Sequence, residues 1–552
     1  MKAEPISVPC RQGAVLRVAA RGLLVFLAYD ERNVLKAGVV RSKRDCIKRR
    51  FTMFQFLAVT QVGCRRSFPR DLRHRITTLT IFVGLCCVSQ LIYIQPLSAQ
   101  SRPRPNFVFI MADDLGYAEL GCYGQTKIKT PYIDQLAKEG LRFTQFYSGH
   151  AVCAPSRCCL MTGYHTGHAY VRGNKGRPVL GQLPIPDETV TLAELLKQQG
   201  YSTGCFGKWG LGGPRTEGMP TRQGFDRFFG YLDQWNAHTH YPQFLWRNET
   251  TVLLEGNRNG KQTVYSQDLF TKEAIKFIRD QKKNKPFFLY VPYAVPHVSL
   301  QVPEDSLAQY KGKWPETPFP GGHYQGQATP RAAYAAMVSR MDRDVGRIVQ
   351  TLKDRGFEDN TIVCFTSDNG PTFNGGTDSK FFHSAGPFRG LKASLFEGGI
   401  RVPLIVRWPG KIAPNTKTEH ISALWDILPT FVEMAGGQVP KGLDGIDFTP
   451  TLLKKGTQKP HEYLYWESHG RRGRQAVRMG KWKGYQPDAL KGKATIQLYN
   501  LETDIAEKNN VAKDYPEVVE HIAKIMKNGR TPSEHFKFRS PKKNRRKKRR
   551  RR

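Results

Sequence analysis

A short run of residues, Cys153-Ala-Pro-Ser-Arg157 followed by Leu160-Met-Thr-Gly163, combines side chains that can do chemistry. The pattern predicts a helix that begins near Pro155, because proline is favoured in the first turn of a helix. Cys153 then lies at the positive N-terminal end, with Arg157 about one turn further on. Free amides, the helix dipole and a guanidinium form a cradle for an anion, and they also predict a lowered pKa for the Cys153 thiol. From these residues alone, a helix start with a buried thiol is the alternative.

Strand and helix patterns alternate along the chain. Short apolar runs rich in β-forming residues cover 106–111, 201–207, 286–291 and 361–366, and amphipathic helical patterns cover 189–199, 267–281 and 332–352. This order predicts an α/β fold with a mainly parallel sheet and helices on both of its faces. Beyond about residue 460 the pattern changes to short aromatic strands, turns and a final helix over 517–526.

Polar residues follow three of the predicted strands. Asp113-Asp114 come after the first, His297 comes after 286–291, and Asp368-Asn369 come after 361–366. Ligand sites in such sheets lie beyond the carboxyl ends of the strands, so we expect these side chains to converge. The aspartate and asparagine side chains offer only oxygen ligands, which a hard cation such as calcium prefers. Taken singly, each motif is more typical of a turn or a helix cap than of a metal site.

The chain is strongly basic, with 85 Lys and Arg against 47 Asp and Glu and a formal net charge of +38. Residues 1–75 hold 17 basic and 5 acidic side chains, and 537–552 hold 12 basic and no acidic ones, so each contributes +12. The rest of the chain has a net charge of +14, which favours binding to polyanionic partners. The charge does not show whether such a partner is nucleic acid or sulfated polysaccharide. The tail over 536–552 is predicted to be disordered, and we expect it to bind heparin-like polymers.

The 11 cysteines are too few and too irregularly spaced for a small disulfide scaffold. Cys153, Cys158 and Cys159 lie close together in the sequence. No histidine or second cysteine pair follows them at the spacing of a zinc finger, so the pattern disfavours zinc.

Residues 70–100 contain the three parts of a secretory signal: a basic stretch over 70–75, an apolar stretch over 76–94 and a small-residue cleavage site near Ala99. The signal lies well inside the chain. Either 1–75 is a basic extension ahead of it, or translation begins later, for example at Met53. The sequence favours export to the periplasm or the medium. The alternative is a membrane anchor over 76–94, because about 19 apolar residues can span a bilayer.

The order Cys-x-Pro-Ser-Arg followed by Thr-Gly resembles the signature of the type I, formylglycine-dependent sulfatases of the alkaline phosphatase superfamily. The resemblance extends from about Arg104 to Met526. In that family the cysteine is oxidised after translation to formylglycine, whose hydrated aldehyde is the nucleophile. The resemblance implies a large mainly parallel or mixed sheet sandwiched by helices over 104–455 and a smaller antiparallel α+β subdomain over 456–535.

The resemblance also implies roles for single residues. One Ca²⁺ is expected to bind five positions: Asp113, Asp114, Asp368, Asn369 and the formylglycine at 153. A second set matches family positions that hold the sulfate and steady the nucleophile: Arg157, Lys208, His297 and Lys392. In the implied mechanism a hydrate hydroxyl attacks sulfur with the help of Ca²⁺ and Asp368, and His297, with Lys392, protonates the departing alcohol. The other hydroxyl is then deprotonated, and sulfate is expelled.

One motif departs from the family pattern. The family reads Gly-Lys-Trp-His-Leu-Gly, whereas this chain reads Gly207-Lys-Trp-Gly-Leu-Gly212, so Gly210 stands where the base of the second step is proposed. We hypothesise that His238 or His240 replaces that base. His165 and His168 are further candidates. The aromatic run over 231–246 is suited to stacking on sugars, or else it belongs to the core.

The resemblance therefore implies a sulfuric ester hydrolase, similar to arylsulfatases, that releases sulfate from a sulfated carbohydrate. Its expected partners are the sulfate ester and a formylglycine-generating or anaerobic sulfatase-maturing enzyme, with no specific nucleic acid partner. The alternatives are a phosphonate or phosphate ester hydrolase of the same superfamily and a non-catalytic protein that binds sulfated glycans.

Overall fold

The computed structural model describes residues 104–177, 181–470, 472–489 and 495–537, together with the backbone of three N-terminal strands. These strands are β1 (Leu16–Ala20), β2 (Leu23–Tyr29) and β3 (Leu35–Val40), and they form an antiparallel sheet in that order. The predicted export segment over 76–100 and the tail over 538–552 lie outside the described residues, so both stay predictions. Within the described ranges, no helix has the length and apolar character needed to cross a membrane.

A sheet of ten strands forms the centre of the main body. The strands of the body, in chain order, are β4 (Asn106–Asp113), β5 (Leu141–Phe143), β6 (Phe146–Tyr147), β7 (Gly176–Arg177), β8 (Gly181–Gln182), β9 (Ser202–Lys208), β10 (Arg227–Tyr231), β11 (Phe244–Arg247), β12 (Thr250–Leu253), β13 (Phe287–Pro296), β14 (Thr361–Ser367), β15 (Leu404–Arg407), β16 (Thr416–Thr418) and β17 (Ser422–Ala423). The order across the large sheet is β12-β11-β10-β9-β13-β4-β14-β15-β5-β16, and β6 with β17 and β7 with β8 form small pairs.

The middle of the large sheet is parallel and its edges are mixed. Strands β10, β9, β13, β4 and β14 run parallel, whereas β11, β12 and β15 add antiparallel pairs on either side. Alternate residues of β4 from Phe107 to Met111 enter one core cluster, and those from Val108 to Ala112 enter the other. Side chains alternate along a strand, so a strand buried on both faces has a continuous apolar run. The predicted sheet is confirmed.

Helices cover both faces of this sheet. In chain order they are α1 (Pro131–Lys138), α2 (Cys153–Thr162), α3 (Leu192–Gln198), α4 (Ser266–Asp280), α5 (Glu304–Leu307), α6 (Pro330–Asp354), α7 (Glu397–Ile400), α8 (Ile427–Met434), α9 (Thr449–Leu453) and α10 (Pro516–Asn528). Helices α1, α4 and α6 belong to one core cluster, and α2, α3 and α8 belong to the other. The start of α3 is fixed by a capping box between Thr191 and Glu194.

The C-terminal part forms a second, smaller sheet. Strands β18 (Leu464–Ser468), β19 (Arg474–Met479), β20 (Trp482–Pro487) and β21 (Gln497–Asn500) are antiparallel in that order, and α10 packs on them. The segment 476–483 contains a tight hairpin, because Gly480 adopts a φ of 52° between the paired residues Met479 and Trp482. The small antiparallel sheet is confirmed, and the proposed domain boundaries at 455 and 535 stay a prediction.

A buried ion network joins the small sheet to α7. Glu397 is fully buried and accepts hydrogen bonds from Nζ of Lys483 at 2.8 Å and from the hydroxyl of Tyr147 at 2.7 Å. Arg401 Nη1 lies 3.3 Å from the same carboxylate. Burial alone raises the pKa of Glu397, but the charges of Lys483, Arg478 and Arg401 outweigh it and lower that pKa to about 2.

We expect Glu397→Gln to lower the free energy of unfolding by about 3 kcal/mol at pH 7, because buried cations lose a counter-charge. The folded-state pKa lies below the usual 4.5, so the unfolded state binds more protons at acidic pH. The contribution is therefore complete above about pH 4.5 and is lost as the pH falls towards 2. Denaturant unfolding of both proteins across this range measures the difference. The matched control is Glu433→Gln, which changes an exposed glutamate. Equal losses in the two variants would contradict the prediction.

Candidate active site

Four parallel strands end at the same edge of the large sheet and bring predicted site residues together. β4 ends at Asp113 and β9 ends at Lys208. β13 ends just before His297, and β14 ends just before Asp368. Because these strands are parallel neighbours, the segments that follow them share one edge, as the sequence predicted.

Cys153 is the first residue of α2 and is buried. Its Sγ lies 3.2 Å from Oδ1 of Asp113 and 3.8 Å from Nζ of Lys392. The predicted position at the N-terminus of a helix is confirmed. The predicted lowering of the thiol pKa is wrong: burial, together with the charge of Asp113, raises the pKa of Cys153 in spite of Lys208 and Lys392. Burial next to carboxylates raises the thiol pKa, whereas the helix dipole lowers it, and burial has the larger effect here.

Two lysines neutralise the paired aspartates. Lys208 is fully buried and its Nζ donates to Oδ2 of Asp113 at 2.5 Å, while Nζ of Lys392 donates to Oδ2 of Asp114 at 2.7 Å. Burial raises the pKa of Asp113, but nearby cations, Lys208 foremost, outweigh this and hold it well below its usual value. The pKa of Asp114 is raised by burial and by the charge of Asp113. Closely spaced acids are thus held together by cations.

Arg157 lies one turn into α2 and is also buried. Its Nη2 donates to Oδ2 of Asp368 at 2.8 Å, and its Nη1 donates to the carbonyl oxygen of Lys208. Oδ1 of Asp368 accepts the backbone N–H of Asp114 at 3.1 Å. Burial, together with the charge of Asp113, raises the pKa of Asp368 to about 7 although Arg157 acts in the opposite direction. Arg157 and Asp368 therefore form one wall of the site.

The donor set fits a hard cation. Ligand atoms of Asp113, Asp114, Cys153 and His297 all lie within 4.8 Å of one another. Asn369 donates from Nδ2 to Oδ1 of Asp114 at 2.8 Å, while its own Oδ1 is buried and accepts no hydrogen bond from the described residues. Carboxylate oxygens beside an orphaned amide oxygen form the kind of donor set that Ca²⁺ takes in proteins.

His297 presents one particular nitrogen to this cluster. Its Nδ1 donates to the carbonyl oxygen of Val298 at 2.5 Å, so Nε2 is the nitrogen that faces Asp114, 3.6 Å from Oδ2. Burial and the charge of Lys392 lower the pKa of His297 well below its usual value. The ring is therefore oriented by the backbone and directed at the site.

The two histidines proposed to replace a base at Gly210 differ in their surroundings. His240 is buried, and its Nε2 donates to the carbonyl oxygen of His297 at 2.9 Å while its Nδ1 accepts from Nε2 of Gln267 at 3.1 Å. No lone pair is left to accept a proton, so the hypothesis for His240 is wrong. His238 stacks on His297 with ring centroids 5.2 Å apart and lies beside the cluster.

His165 and His168 do not join the cluster. Nδ1 of His165 accepts the backbone N–H of Gly167 at 3.1 Å, so its Nε2 carries the proton and faces Asp444 at 3.4 Å. Nδ1 of His168 lies 2.9 Å from the same carboxylate. Both rings are held by Asp444, and neither supports the role suggested for it.

Two residues that position α2 were not predicted from the sequence. Oδ1 of Asn174 accepts the backbone N–H of Ala154 at 3.0 Å. Oγ of Ser156 donates to the backbone carbonyl of Asp368 and accepts the N–H of Gly149 at 3.0 Å. Ser156 belongs to the cysteine motif and could have been found there, whereas Asn174 stands in a loop with no pattern that points to α2.

A cavity of about 680 Å³ adjoins the cluster, and its wall includes Val152 and Ala393, the chain neighbours of Cys153 and Lys392. Its charged lining residues are mostly basic: Arg172, Lys175, Arg474 and Lys537, with Glu534. Nη1 of Arg474 donates to the carbonyl oxygen of Ala393 at 2.9 Å, which ties β19 to the segment that carries Lys392. The cavity therefore lies between the start of α2 and the small sheet.

Comparisons with known proteins agree with this geometry. The sulfatase family model matches residues 105–437, and the model of the C-terminal region of N-sulphoglucosamine sulphohydrolase matches 391–531. N-acetylgalactosamine-6-O-sulfatase of Bacteroides thetaiotaomicron is 30% identical over 514 residues, which cover 79% of this chain and 95% of that protein. Human arylsulfatase A is 36% identical over 483 residues, which cover 78% and 88% of the two chains.

A solved structure leads to the same conclusion. Ps i-CgsB in complex with k-i-k-neocarrahexaose matches with a TM-score of 0.65 at 30% identity, covering 77% of this chain and 92% of that one. The family model alone spans more than half of the chain, and it includes every cluster residue from Asp113 to Lys392. The chain belongs to the sulfatase family.

Proposed function

We propose that the chain hydrolyses sulfate esters of carbohydrates with a formylglycine made from Cys153 and one Ca²⁺. The reaction converts a sulfate ester and water into an alcohol, sulfate and a proton. The observation that carries the proposal is the position of Cys153, whose Sγ lies 3.2 Å from Asp113 and 3.8 Å from Lys392 in a buried cluster of carboxylates and cations. A thiol with a purely structural role would not require charged side chains around it.

Oxygen donors of the cluster would hold the ion: Asp113, Asp114, Asp368 and Asn369, together with the group made from Cys153. A bound Ca²⁺ supplies Lewis-acid polarisation, and a formylglycine supplies the nucleophile. The orphaned Oδ1 of Asn369 supports this assignment, because a buried amide oxygen without a partner costs about 1–3 kcal/mol.

The cations of the cluster bind the sulfate group. Arg157, Lys208 and Lys392 are fixed by hydrogen bonds to carboxylates, so they are oriented before the substrate arrives. Negative charge builds on the sulfate oxygens in the transition state, and preorganised cations in a buried site stabilise it. His297 directs Nε2 at the same place, where it can accept a hydrogen bond, and Lys392, whose Nζ carries protons, delivers the proton that the departing alcohol takes up.

Gly210 stands where the family has the histidine proposed as base of the second step. We propose that His238 acts as this base. Its ring stacks on that of His297, and its nitrogens make no hydrogen bond with any described residue. Burial and the charge of Lys208 lower its pKa to about 4, so its imidazole is neutral and can accept a proton at neutral pH.

The surroundings of the site support a sulfated carbohydrate as substrate. The side chain of Trp235 is 70% exposed and lies against His238, with ring centroids 5.7 Å apart, so it offers a flat face for a sugar ring. The basic cavity beside Val152 suits further sulfate or carboxylate groups of the same glycan. The names of the relatives, among them a GalNAc-6-O-sulfatase and a protein solved with neocarrahexaose, agree with this class.

Maturation and export complete the proposal. A formylglycine-generating or anaerobic sulfatase-maturing enzyme converts Cys153, and the segment over 76–100 directs the chain to the periplasm or the medium.

We expect Lys175→Ala to raise KM about fivefold for an oligosaccharide with several sulfates and to leave kcat unchanged. The variant loses an ion pair between Lys175 and a second sulfate of the substrate, and this pair is equally strong in the ground state and the transition state. Lys175 lines the basic cavity, and its Nζ lies 3.3 Å from the carbonyl oxygen of His535. Steady-state kinetics on a multiply and a singly sulfated substrate measure the effect. The control is Lys411→Ala on an exposed position away from this cavity. An equal KM for wild type and variant on the multiply sulfated substrate would show that the cavity does not bind it.

Chelation is expected to lower both the melting temperature and the activity, because the carboxylate cluster would then lose the cation that offsets its negative charge. A ligand at 100 times its Kd stabilises a protein by about 2.7 kcal/mol. Thermal unfolding after chelation, followed by addition of Ca²⁺ or Mg²⁺, should show a rise of several degrees with Ca²⁺. The variant Asn369→Ala should show a smaller rise. Identical unfolding curves with and without Ca²⁺ would rule out the ion site.

Sulfate release from sulfated oligosaccharides and from an aryl sulfate, compared with turnover of a phosphonate ester, tests the proposed reaction. Faster release of sulfate supports it. Preferred turnover of the phosphonate would favour the alternative hydrolase, and tight binding of a sulfated polymer without sulfate release would favour a glycan-binding protein.

A further inference from the structure

The amide of Gln234, in its present position, occupies the space that a side chain at Gly210 would need. Gly210 has a φ of 83°, and a Cβ at this position would lie 2.2 Å from Nε2 of Gln234. Carbon and nitrogen atoms do not approach so closely without a bond, so any side chain at 210 would displace the amide. The volume beside Gly210 is therefore already filled by the Gln234 carboxamide.

This amide is buried and has no protein partner. Both Nε2 and Oε1 of Gln234 are inaccessible to solvent, and neither makes a hydrogen bond with a described residue. Leaving such a group unpaired costs about 1–3 kcal/mol, and native structures do so rarely.

Hydrogen bonds fix the backbone on both sides of Gln234. The N–H of Trp209 donates to the carbonyl of Tyr231 at 2.9 Å, and the N–H of Gly210 donates to that of Leu232 at 3.1 Å. On the other side of Gln234, Oδ1 of Asp233 accepts the next two backbone N–H groups at 2.8 Å each. The carboxamide thus extends from a segment that is fixed at both ends.

The amide lies beside the cations of the active site. The position of a Cβ at Gly210 is 3.8 Å from Cδ of Arg157. Arg157 donates to the carbonyl of Lys208, two residues before Gly210, and Nζ of Lys208 donates to Asp113. Gln234 and Arg157 therefore both border the space beside Gly210, and Arg157 is one of the cations that, under the proposed function, bind the sulfate group.

We propose that Gln234 is a substrate-binding residue whose Nε2–H group donates a hydrogen bond to a sulfate oxygen. The inference rests on the proposed function, and it explains why Gly210 carries no side chain: a neutral amide from the next loop takes the space where the family has histidine. The contact is made by a group that does not ionise, so its strength is independent of pH.

Gln234→Leu and Gln234→Glu test the proposal, with Gln243→Glu on an exposed glutamine as the matched control. Gln234→Leu should lower kcat/KM for a sulfate ester about 10- to 100-fold, the usual worth of a hydrogen bond to a charged group. Its melting temperature should stay equal or rise, because an unpaired polar group has been removed. Gln234→Glu should lower kcat/KM further by charge repulsion. Unchanged kcat/KM in both variants would overturn the proposal.

Binding of inorganic sulfate separates this inference from the proposed function. It is measured as the rise in melting temperature with sulfate, in a Cys153→Ala background that needs no maturation and no turnover. The rise should be lost with Gln234→Glu and kept with Gln243→Glu. A rise that survives Gln234→Glu would refute the role of Gln234, whereas failure of the wild-type protein to hydrolyse any ester would refute the proposed function alone.

A steric exchange gives a second test. Gly210→His alone should lose most activity, because the new side chain collides with the amide. The double variant Gly210→His with Gln234→Gly should recover at least about tenfold of the loss, because it restores a hydrogen-bonding group to the same volume. Equal activities of the single and double variants would contradict the shared space.

Discussion

Cys153→Ala is expected to lower kcat for sulfate ester hydrolysis by about 10⁴-fold or more, the order of loss seen when a covalent nucleophile is removed. The reason is positional. The Sγ atom lies within 4 Å of both Asp113 and Lys392, so no other side chain of the cluster can present a nucleophile at that point. Sulfate release by protein matured in its native host measures the effect.

The control for this prediction is Cys158→Ala. Cys158 is buried in the same helix, so its loss changes packing to a similar degree without touching the cluster. We expect normal maturation and activity within about threefold of wild type. Comparable activity of Cys153→Ala and the wild-type protein would show that the thiol has only a structural role.

Lys392→Met is expected to lower kcat/KM about 10²- to 10³-fold, as does the loss of one preorganised group that stabilises charge in a transition state. Nζ of Lys392 lies 2.7 Å from Asp114 and 3.8 Å from Sγ of Cys153, so it is placed between the ion site and the reacting group. Methionine keeps the length of the side chain and removes only its charge and its donors. Kinetics with an aryl sulfate measure the change.

Stability must be followed in the same experiment, because Asp114 loses a partner. The lysine side chain is 11% exposed, so water partly replaces it, and we expect a decrease of a few degrees in melting temperature. Lys411→Met, at an exposed position, serves as the control. A loss of activity that merely follows the loss of folded protein would contradict a role in binding the transition state.

The positions of the site residues could be predicted from the sequence because the fold is regular there. Asp113, His297 and Asp368 follow apolar runs, and in a parallel sheet the ends of such runs meet at one edge. The start of α2 at Cys153 was likewise indicated by the proline two residues later.

The local chemistry could not be predicted in the same way. The pKa of Cys153 is raised instead of lowered because burial and Asp113 outweigh the helix dipole, and sequence does not show burial. His238 and His240 lie two residues apart, and the sequence does not distinguish them. In the structure both ring nitrogens of His240 make hydrogen bonds, one with Gln267 and one with the carbonyl of His297.

Contacts between segments that are distant in the chain also could not be predicted from the sequence. Gln234 fills the space beside Gly210 because two loops, held by backbone hydrogen bonds, lie next to each other. Glu397 at the start of α7 contacts Lys483 in the small sheet. Neither pair has a spacing or periodicity that a single sequence can display.

Mass spectrometry of the tryptic peptide over 143–157, from protein made in its native host, tests the central claim most directly. We expect an aldehyde at position 153 in place of the thiol, detectable by its mass and by reaction with a hydrazide. An intact cysteine in protein that releases sulfate at full rate would contradict it.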